Sequence, residues 1–149
     1  MSEAAWSLRP AQQGDAWAIR RIIWRMGLNP TSLDWHHFVV AVDAGNRLIG
    51  CGQVHRHSDG SLELASMAVE PAWRGYGIAR HIMERLLEGS PRPLYLRCAP
   101  EMQIFYEKFG FAVVPGEEMP RAFRRMWRML AWLGERLGRG PLLLVMRLG

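Results

Sequence analysis

The chain has 149 residues and a formal net charge of +5, and 49% of its residues are hydrophobic. This length and composition are typical of one soluble globular domain with an ordinary core. No apolar run reaches the roughly 18 residues that a membrane-spanning helix needs. The segment MSEAAWSLRP also lacks the basic and apolar regions of an export signal. We therefore expect a cytoplasmic protein.

Charge and cysteine content indicate which partners and which kinds of site to expect. Lys108 is the only lysine, so arginine carries almost all of the positive charge. Such a balance favours anionic partners without choosing among them. The two cysteines, Cys51 and Cys98, lie in apolar strand-like runs, and we expect neither a disulfide framework nor a metal site.

Apolar runs and turn residues predict alternating strands and helices along the chain. The predicted strands run from Trp6 to Arg9, Phe38 to Val42, Leu48 to Arg56, Glu63 to Val69, Leu94 to Cys98, Phe111 to Val114 and Leu142 to Met146. Helical spacing predicts helices from Asp15 to Met26, Gly77 to Leu87, Met102 to Phe109 and Pro120 to Leu133. Asp15 is predicted to cap the first helix, and Thr31 or Ser32 to cap a short helical turn through Trp35.

The most informative stretch runs from Leu62 to Leu87, where a strand, a turn and a helix follow one another. The turn contains Gly75 and Gly77, which allow positive φ and a close approach of backbone amides to a ligand. Amides that open into a helix also meet the positive end of its dipole, which favours a phosphate or pyrophosphate. The spacing fits neither a P-loop nor a dinucleotide fingerprint. A packing joint without a ligand is the alternative.

Two motifs, in this order along the chain, resemble the GCN5-related N-acetyltransferase (GNAT) family. Arg74-x-x-Gly77-x-Ala79, preceded by Val69-Glu70-Pro71, is similar to that family's acyl-CoA motif. The segment FYEKFGF, from Phe105 to Phe111, is similar to its second motif. Leu8-Arg9-Pro10-Ala11, followed by Asp15 and Ile19, resembles its first strand and helix. The resemblance covers about residues 6 to 115.

The resemblance implies an α/β fold with a mixed, mostly antiparallel central sheet, splayed at the CoA site, with helices on both faces. We predict a single GNAT domain over residues 1–149, with an Arg-rich helix at about 120–138 inserted before the last strand. The implied function is transfer of an acetyl group from acetyl-CoA to a primary amine by direct attack. Acetyl-CoA is then the co-substrate, and no metal is expected.

The resemblance also implies roles for individual residues. Tyr106 matches the tyrosine that donates a proton to the leaving thiolate, and Glu63 lies where some members carry a glutamate general base. His55, His57 or an ordered water are open alternatives for the base. The predicted cofactor-binding residues are Met67, Ala68, Val69, Arg74, Gly75, Tyr76, Gly77, Ile78, Ala79 and Arg80.

Two other functions fit the sequence. A catalytically silent regulator would bind acyl-CoA without transfer. An interaction protein would use the basic amphipathic helix, with Arg121, Arg124, Arg125 and Arg128 on one face, on a membrane or a nucleic acid. We favour the enzyme, with a small-molecule or peptide amine as its partner. On this interpretation no nucleic acid and no membrane is expected, and a homodimer is left open.

Overall fold

The computed structural model describes residues 5–149. Residues 1–4, which belong to the segment considered for an export signal and to the predicted domain, lie outside this range. The strands are Trp6–Pro10 (β1), Phe38–Asp43 (β2), Leu48–Arg56 (β3), Leu62–Val69 (β4), Leu94–Cys98 (β5), Ala112–Val113 (β6) and Leu144–Leu148 (β7). The α-helices are Ala16–Arg25 (α1), Ile78–Glu88 (α2), Gln103–Glu107 (α3) and Arg121–Arg136 (α4).

The strands form a seven-stranded sheet in the order β1-β2-β3-β4-β5-β7-β6. The pairs β1–β2, β2–β3, β5–β7 and β6–β7 are antiparallel, whereas β4 and β5 are parallel. The predicted class, an α/β protein with a mixed and mostly antiparallel sheet, is confirmed. In the described residues, none of the helices combines the length and apolar character needed to cross a membrane.

The chain divides into two compact units. The first comprises the described residues up to His55 together with Leu64–Ser90. Its core is formed by one side of α1, including Ile19 and Ile23, against apolar residues of β2 and β3. In the same unit α2 approaches β3 closely, because a Cβ at Gly52 would lie 2.8 Å from Cγ2 of Ile82. Glycine at this position therefore lets the helix carrying the predicted phosphate turn pack against the sheet.

The second unit comprises Arg56–Glu63 and Pro91–Gly149. Phe123 of α4 is fully buried in its core together with Tyr95, Val114, Met119 and Val145. Pairing between β4 and β5 joins Leu62 to Leu94 and Glu63 to Tyr95. The first two residues of β4 thus belong to this unit, and Glu63 is one of them.

Of the two predicted helix caps, Asp15 is at the predicted position but makes no cap bond, and the other prediction is wrong. Asp15 does precede α1, but its carboxylate accepts hydrogen bonds from Arg9, at 2.6 and 3.0 Å, and from the amide of Gln12 at 2.7 Å. The salt bridge to Arg9 thus replaces a side-chain cap. The short helical turn Trp35–His37 is capped by Asp34, whose Oδ1 accepts from the amide of His36 at 3.1 Å, and not by Thr31 or Ser32.

Several predicted ends shift by two or three residues. The last strand is Leu144–Leu148, two residues later than expected, because its register is set by pairing of Leu144 with Cys98 and of Leu148 with Leu94. Helix α4 continues to Arg136 and ends before Gly138, which has φ of 65°. Pairing partners and helix-ending glycines thus decide ends that apolar periodicity leaves open.

Candidate active site

The turn before α2 has the backbone geometry expected of an anion cradle. Gly75 and Gly77 have φ of 89° and 79°, values that side-chain-bearing residues rarely adopt. Gly77 is the residue that precedes the helix, so the amides of Ile78, Ala79 and Arg80 begin its first turn. In the described part of the chain these amides have no hydrogen-bond acceptor. First-turn amides of this kind are the usual donors to a bound phosphate.

One side chain of α2 holds this turn in place. His81 donates from its amide to the carbonyl oxygen of Gly77 at 3.1 Å, and its Nδ1 lies 2.7 Å from the same oxygen. The ring also makes an edge contact with Trp6, at 5.2 Å between ring centroids. A Cβ at Gly75 would meet no atom within 4 Å. The turn is therefore anchored on its carbonyl side and has open space beside Gly75, which fits a phosphate group.

Two arginines flank the turn, and they differ in whether a carboxylate of the described chain already pairs with them. Arg80 forms a salt bridge of 3.1 Å with Glu84, one helical turn away. Arg74 is exposed, and among the described residues no carboxylate lies within 4.0 Å of it. One of its guanidinium nitrogens lies 3.8 Å from the sulfur of Met26. Arg74 is therefore the better placed of the two for an ionic contact with a phosphate.

The central strand has an irregularity just before the predicted pantetheine-binding residues. Ser66 has φ of 60° although it lies inside β4, so the strand kinks immediately before Met67, Ala68 and Val69. Gln53, fully buried, donates to Ser66 Oγ at 2.9 Å and to the carbonyl oxygen of Ser32 at 2.8 Å. Its Oε1 is buried without a partner in the described chain. Strain and an unsatisfied buried oxygen of this kind occur frequently at binding sites.

Glu63 lies at the centre of a buried charged cluster in the second unit. It is 2% exposed, and Arg97 donates to both of its carboxylate oxygens, at 2.8 and 3.1 Å. Nε2 of His57 lies 2.7 Å from Oε1 of the same carboxylate. A bidentate guanidinium is the strongest partner available to a buried carboxylate. The arrangement fixes the Glu63 carboxylate against a guanidinium and orients the His57 ring.

One aromatic ring contacts two members of the same cluster. The ring of Phe123 makes an edge contact with His57 at 5.1 Å, and the guanidinium of Arg97 lies 5.6 Å from its centroid. Because Phe123 is fully buried, the cluster is attached directly to the core packing of α4. The cation above the ring face adds an attraction of about 0.5–2 kcal/mol.

Tyr106 lies near the end of α3, in a mostly apolar setting. Its ring makes edge contacts with Phe105 and Phe111, with centroids 5.1 and 6.2 Å apart. Burial raises the pKa of the Tyr106 hydroxyl above its usual value of 10, and the charge of a Cys98 thiolate adds to the effect. The phenol is thus fully protonated at pH 7 and available as a proton donor.

The structure distributes the predicted site residues between the two units. All of the predicted cofactor-binding residues lie in the first unit, whereas Glu63 and Tyr106 lie in the second. Sequence analysis missed Arg97, Gln53 and the kink at Ser66. A lone arginine or glutamine inside an apolar strand was the signal available for the first two, since such residues are rarely buried without a partner.

The comparisons identify the family. Residues 34–113 match the model of the acetyltransferase (GNAT) domain, which is more than half of the chain. The chain therefore belongs to the GNAT acetyltransferases. A search of the curated proteins finds no match.

Solved structures support the same fold. The chain resembles N-acetylglutamate synthase from Neisseria gonorrhoeae, solved with coenzyme A and L-arginine, with a TM-score of 0.71 and 21% identity; the match covers 98% of this chain and 34% of that one. It thus spans about a third of the synthase. It also resembles Rv2747 from Mycobacterium tuberculosis, solved in complex with CoA (TM-score 0.70, 23% identity, 95% and 98% covered). A GNAT acetyltransferase from Staphylococcus aureus gives a TM-score of 0.68 at 13% identity, with 97% and 100% covered.

Proposed function

We propose that this protein is an acetyl-CoA-dependent N-acetyltransferase that acetylates a primary amine by direct attack. The observation that carries the proposal is the turn at residues 74–80, with two positive-φ glycines and three first-turn amides that lack an acceptor. Membership of the GNAT family and the similarity to CoA-bound structures support the choice of acetyl-CoA as the co-substrate.

Binding of the co-substrate is assigned to main-chain groups and to one free cation. The amides from Gly75 to Arg80 hold the pyrophosphate, and Arg74 adds an ionic contact. Main-chain groups of Met67, Ala68 and Val69 pair with the pantetheine arm, and one amide there donates to the thioester carbonyl oxygen. Such a donor stabilises the negative charge that this oxygen gains during attack.

Proton removal from the attacking ammonium is assigned to Glu63 acting with His57. Because Arg97 bonds to both oxygens of Glu63, direct protonation of this carboxylate would weaken a buried ion pair. His57 is therefore assigned the proton, and Glu63, whose Oε1 lies 2.7 Å from Nε2 of His57, orients the ring. The freed amine then attacks the thioester carbonyl carbon, and a C–N bond forms.

Tyr106 completes the reaction as the general acid. Acetyl-CoA supplies an activated thioester, whose C–S bond breaks as the tetrahedral intermediate collapses. The phenolic proton passes to the thiolate. The attacking nitrogen still carries one proton more than an amide, and this proton passes through water to the phenolate, which restores the phenol and leaves a neutral amide. The products are an N-acetylated amine and free CoA.

A cytoplasmic location is proposed together with this function. The sequence-based expectation of a single domain stays a prediction.

The function is tested by titrating acetyl-CoA in a calorimeter and by measuring free CoA across a panel of amines. We expect saturable binding and CoA release with at least one amine. Tyr106→Phe should lower kcat by about 10²–10⁴-fold with unchanged affinity for acetyl-CoA, while Tyr95→Phe, which removes the same atom from a core tyrosine, should not. Absence of acetyl-CoA binding would refute the proposal. Binding without transfer to any amine would leave a silent acyl-CoA-binding module.

A further inference from the structure

Helix α4 has one side that is fully used by the protein's own core. Phe123 is completely buried, the ring of Trp127 packs over Gly116, and Gly134 lies against the carbonyl oxygen of Gly140. A Cβ at Gly116 or at Gly134 would lie 2.8 Å from these neighbours. This side attaches α4 to the core of the second unit.

A row of arginines occupies a second side of α4. Arg121, Arg124, Arg125 and Arg128 line one open cavity of about 340 Å³. Arg124 donates to the carbonyl oxygen of Met119 at 2.8 Å, which holds its guanidinium in place. Within residues 5–149 no carboxylate lies within 4.0 Å of any of these guanidinium groups. The row therefore presents guanidinium groups that form no ion pair in the described chain, and guanidinium groups bind phosphate well.

Large apolar side chains are exposed beside that row, on the same helix and at Leu137, the residue that follows its last turn. Met129, Trp132 and Leu137 are 59%, 57% and 58% exposed, and Met126 and Leu133 are also exposed. Arg136 stacks on Trp132, with its guanidinium 5.0 Å from the ring centroid. Contiguous exposed apolar side chains of this kind mark interaction surfaces.

We propose that this exposed side of α4 docks the protein on an anionic lipid surface. The arginines would bind headgroup phosphates, while Met129, Leu133 and Leu137 enter the boundary between headgroups and acyl chains, with Trp132 at that boundary. A nucleic acid would satisfy the arginines but would leave the apolar side chains in water. A second copy would oppose one arginine row to a chain of the same net charge, +5. This departs from the sequence-based expectation of no membrane partner and is independent of the proposed catalysis.

The test is flotation of the full chain with vesicles of equimolar phosphatidylcholine and phosphatidylglycerol, compared with phosphatidylcholine alone. We expect binding to the first only. Arg125→Glu with Arg128→Glu should lower the partition coefficient by more than about a hundredfold, because each reversal removes an attraction of about fivefold and adds a similar repulsion. Met129→Ser with Leu133→Ser should lower it by about tenfold.

Arg20→Glu with Arg85→Glu is the matched control, since it makes the same change in net charge at exposed positions on α1 and α2. Its partition coefficient should change by less than about threefold. The proposal is overturned if wild-type protein does not bind the anionic vesicles, or if the control loses as much binding as the α4 variant. Tight binding to a DNA duplex in a gel-shift assay, with vesicle binding indifferent to Met129→Ser/Leu133→Ser, would also overturn it in favour of a nucleic-acid site.

Discussion

Glu63 and Arg97 form a buried ion pair. Replacing either residue alone should destabilise the fold. Both are largely enclosed, with side chains 3% and 19% exposed. Glu63→Gln should lower the free energy of unfolding by about 3–5 kcal/mol, because it leaves the Arg97 charge buried without its counter-ion. Glu63→Gln with Arg97→Met should recover much of that loss. Urea unfolding followed by circular dichroism measures both values.

The exposed pair Arg80–Glu84 provides the comparison for this prediction. Arg80→Met there should change the free energy of unfolding by less than about 1 kcal/mol, since exposed ion pairs contribute little. If the double variant at 63 and 97 is no more stable than Glu63→Gln alone, the cluster stabilises the fold through packing and not through its charges.

Asp59 makes part of the stability depend on pH. Its Oδ1 accepts from Ser61 at 2.6 Å and its Oδ2 accepts from the amide of Ala122, in the first turn of α4, at 2.9 Å. These bonds, the one from the Ser61 hydroxyl first, lower the pKa of Asp59 from 3.8 to about 2. A lowered pKa stabilises the folded state above pH 4, and this contribution is lost as pH falls from about 4 towards 2.

Asp59→Asn should therefore flatten the acid limb of a plot of melting temperature against pH. At pH 7 the variant should lose about 0.5–2 kcal/mol, the usual value of a side chain that caps a helix. Ser58→Ala changes the same turn without removing the carboxylate and should keep the wild-type profile. Parallel acid limbs for wild-type protein and Asp59→Asn would contradict the assignment.

At the scale of elements, a methyl group added in the turn before α2 should weaken acetyl-CoA binding. The same change in another turn with an equally strained backbone should not. Gly77→Ala forces a side-chain-bearing residue into φ near 79°, which costs about 1–2 kcal/mol. Gly60, in the β3–β4 turn, has φ of 89° and open space around it, so Gly60→Ala carries the same strain. We expect calorimetry to show at least about tenfold weaker acetyl-CoA binding for Gly77→Ala only. Equal affinities in the two variants would remove the turn from the binding site.

The elements themselves could be predicted wherever a local pattern decides them. The strand Leu48–Arg56 agrees with its prediction at both ends, and so does Leu94–Cys98. Both are apolar runs bounded by turn residues. The glycine turn before α2 was likewise predicted from Gly75 and Gly77, which both have positive φ. The helix after it was predicted from apolar spacing, whereas the acyl-CoA motif was assigned from the family resemblance.

What sequence analysis missed depends on contacts between distant positions. Arg97 bonds to Glu63, 34 residues earlier, and Asp59 bonds to the amide of Ala122, 63 residues later. No local periodicity reports such a pair. The positive φ of Ser66 inside β4 could not be predicted either, because this residue does not interrupt the apolar pattern of the strand. Glu63 could therefore be proposed as a base, but its ion pair with Arg97 could be identified only from the fold.

At the scale of the whole molecule, the net charge of +5 should make binding of acetyl-CoA depend on salt. The Debye length falls from about 30 Å at 0.01 M to about 3 Å at 1 M salt, so long-range attraction of the phosphate groups is lost over that range. We expect the affinity to fall by about tenfold or more. S-acetylpantetheine, which carries the same thioester without phosphates, should bind weakly and with no salt dependence. Arg74→Gln should reduce the slope for acetyl-CoA because it removes the free cation next to the turn. If both ligands respond equally to salt, phosphate recognition at residues 74–80 is not what holds the co-substrate.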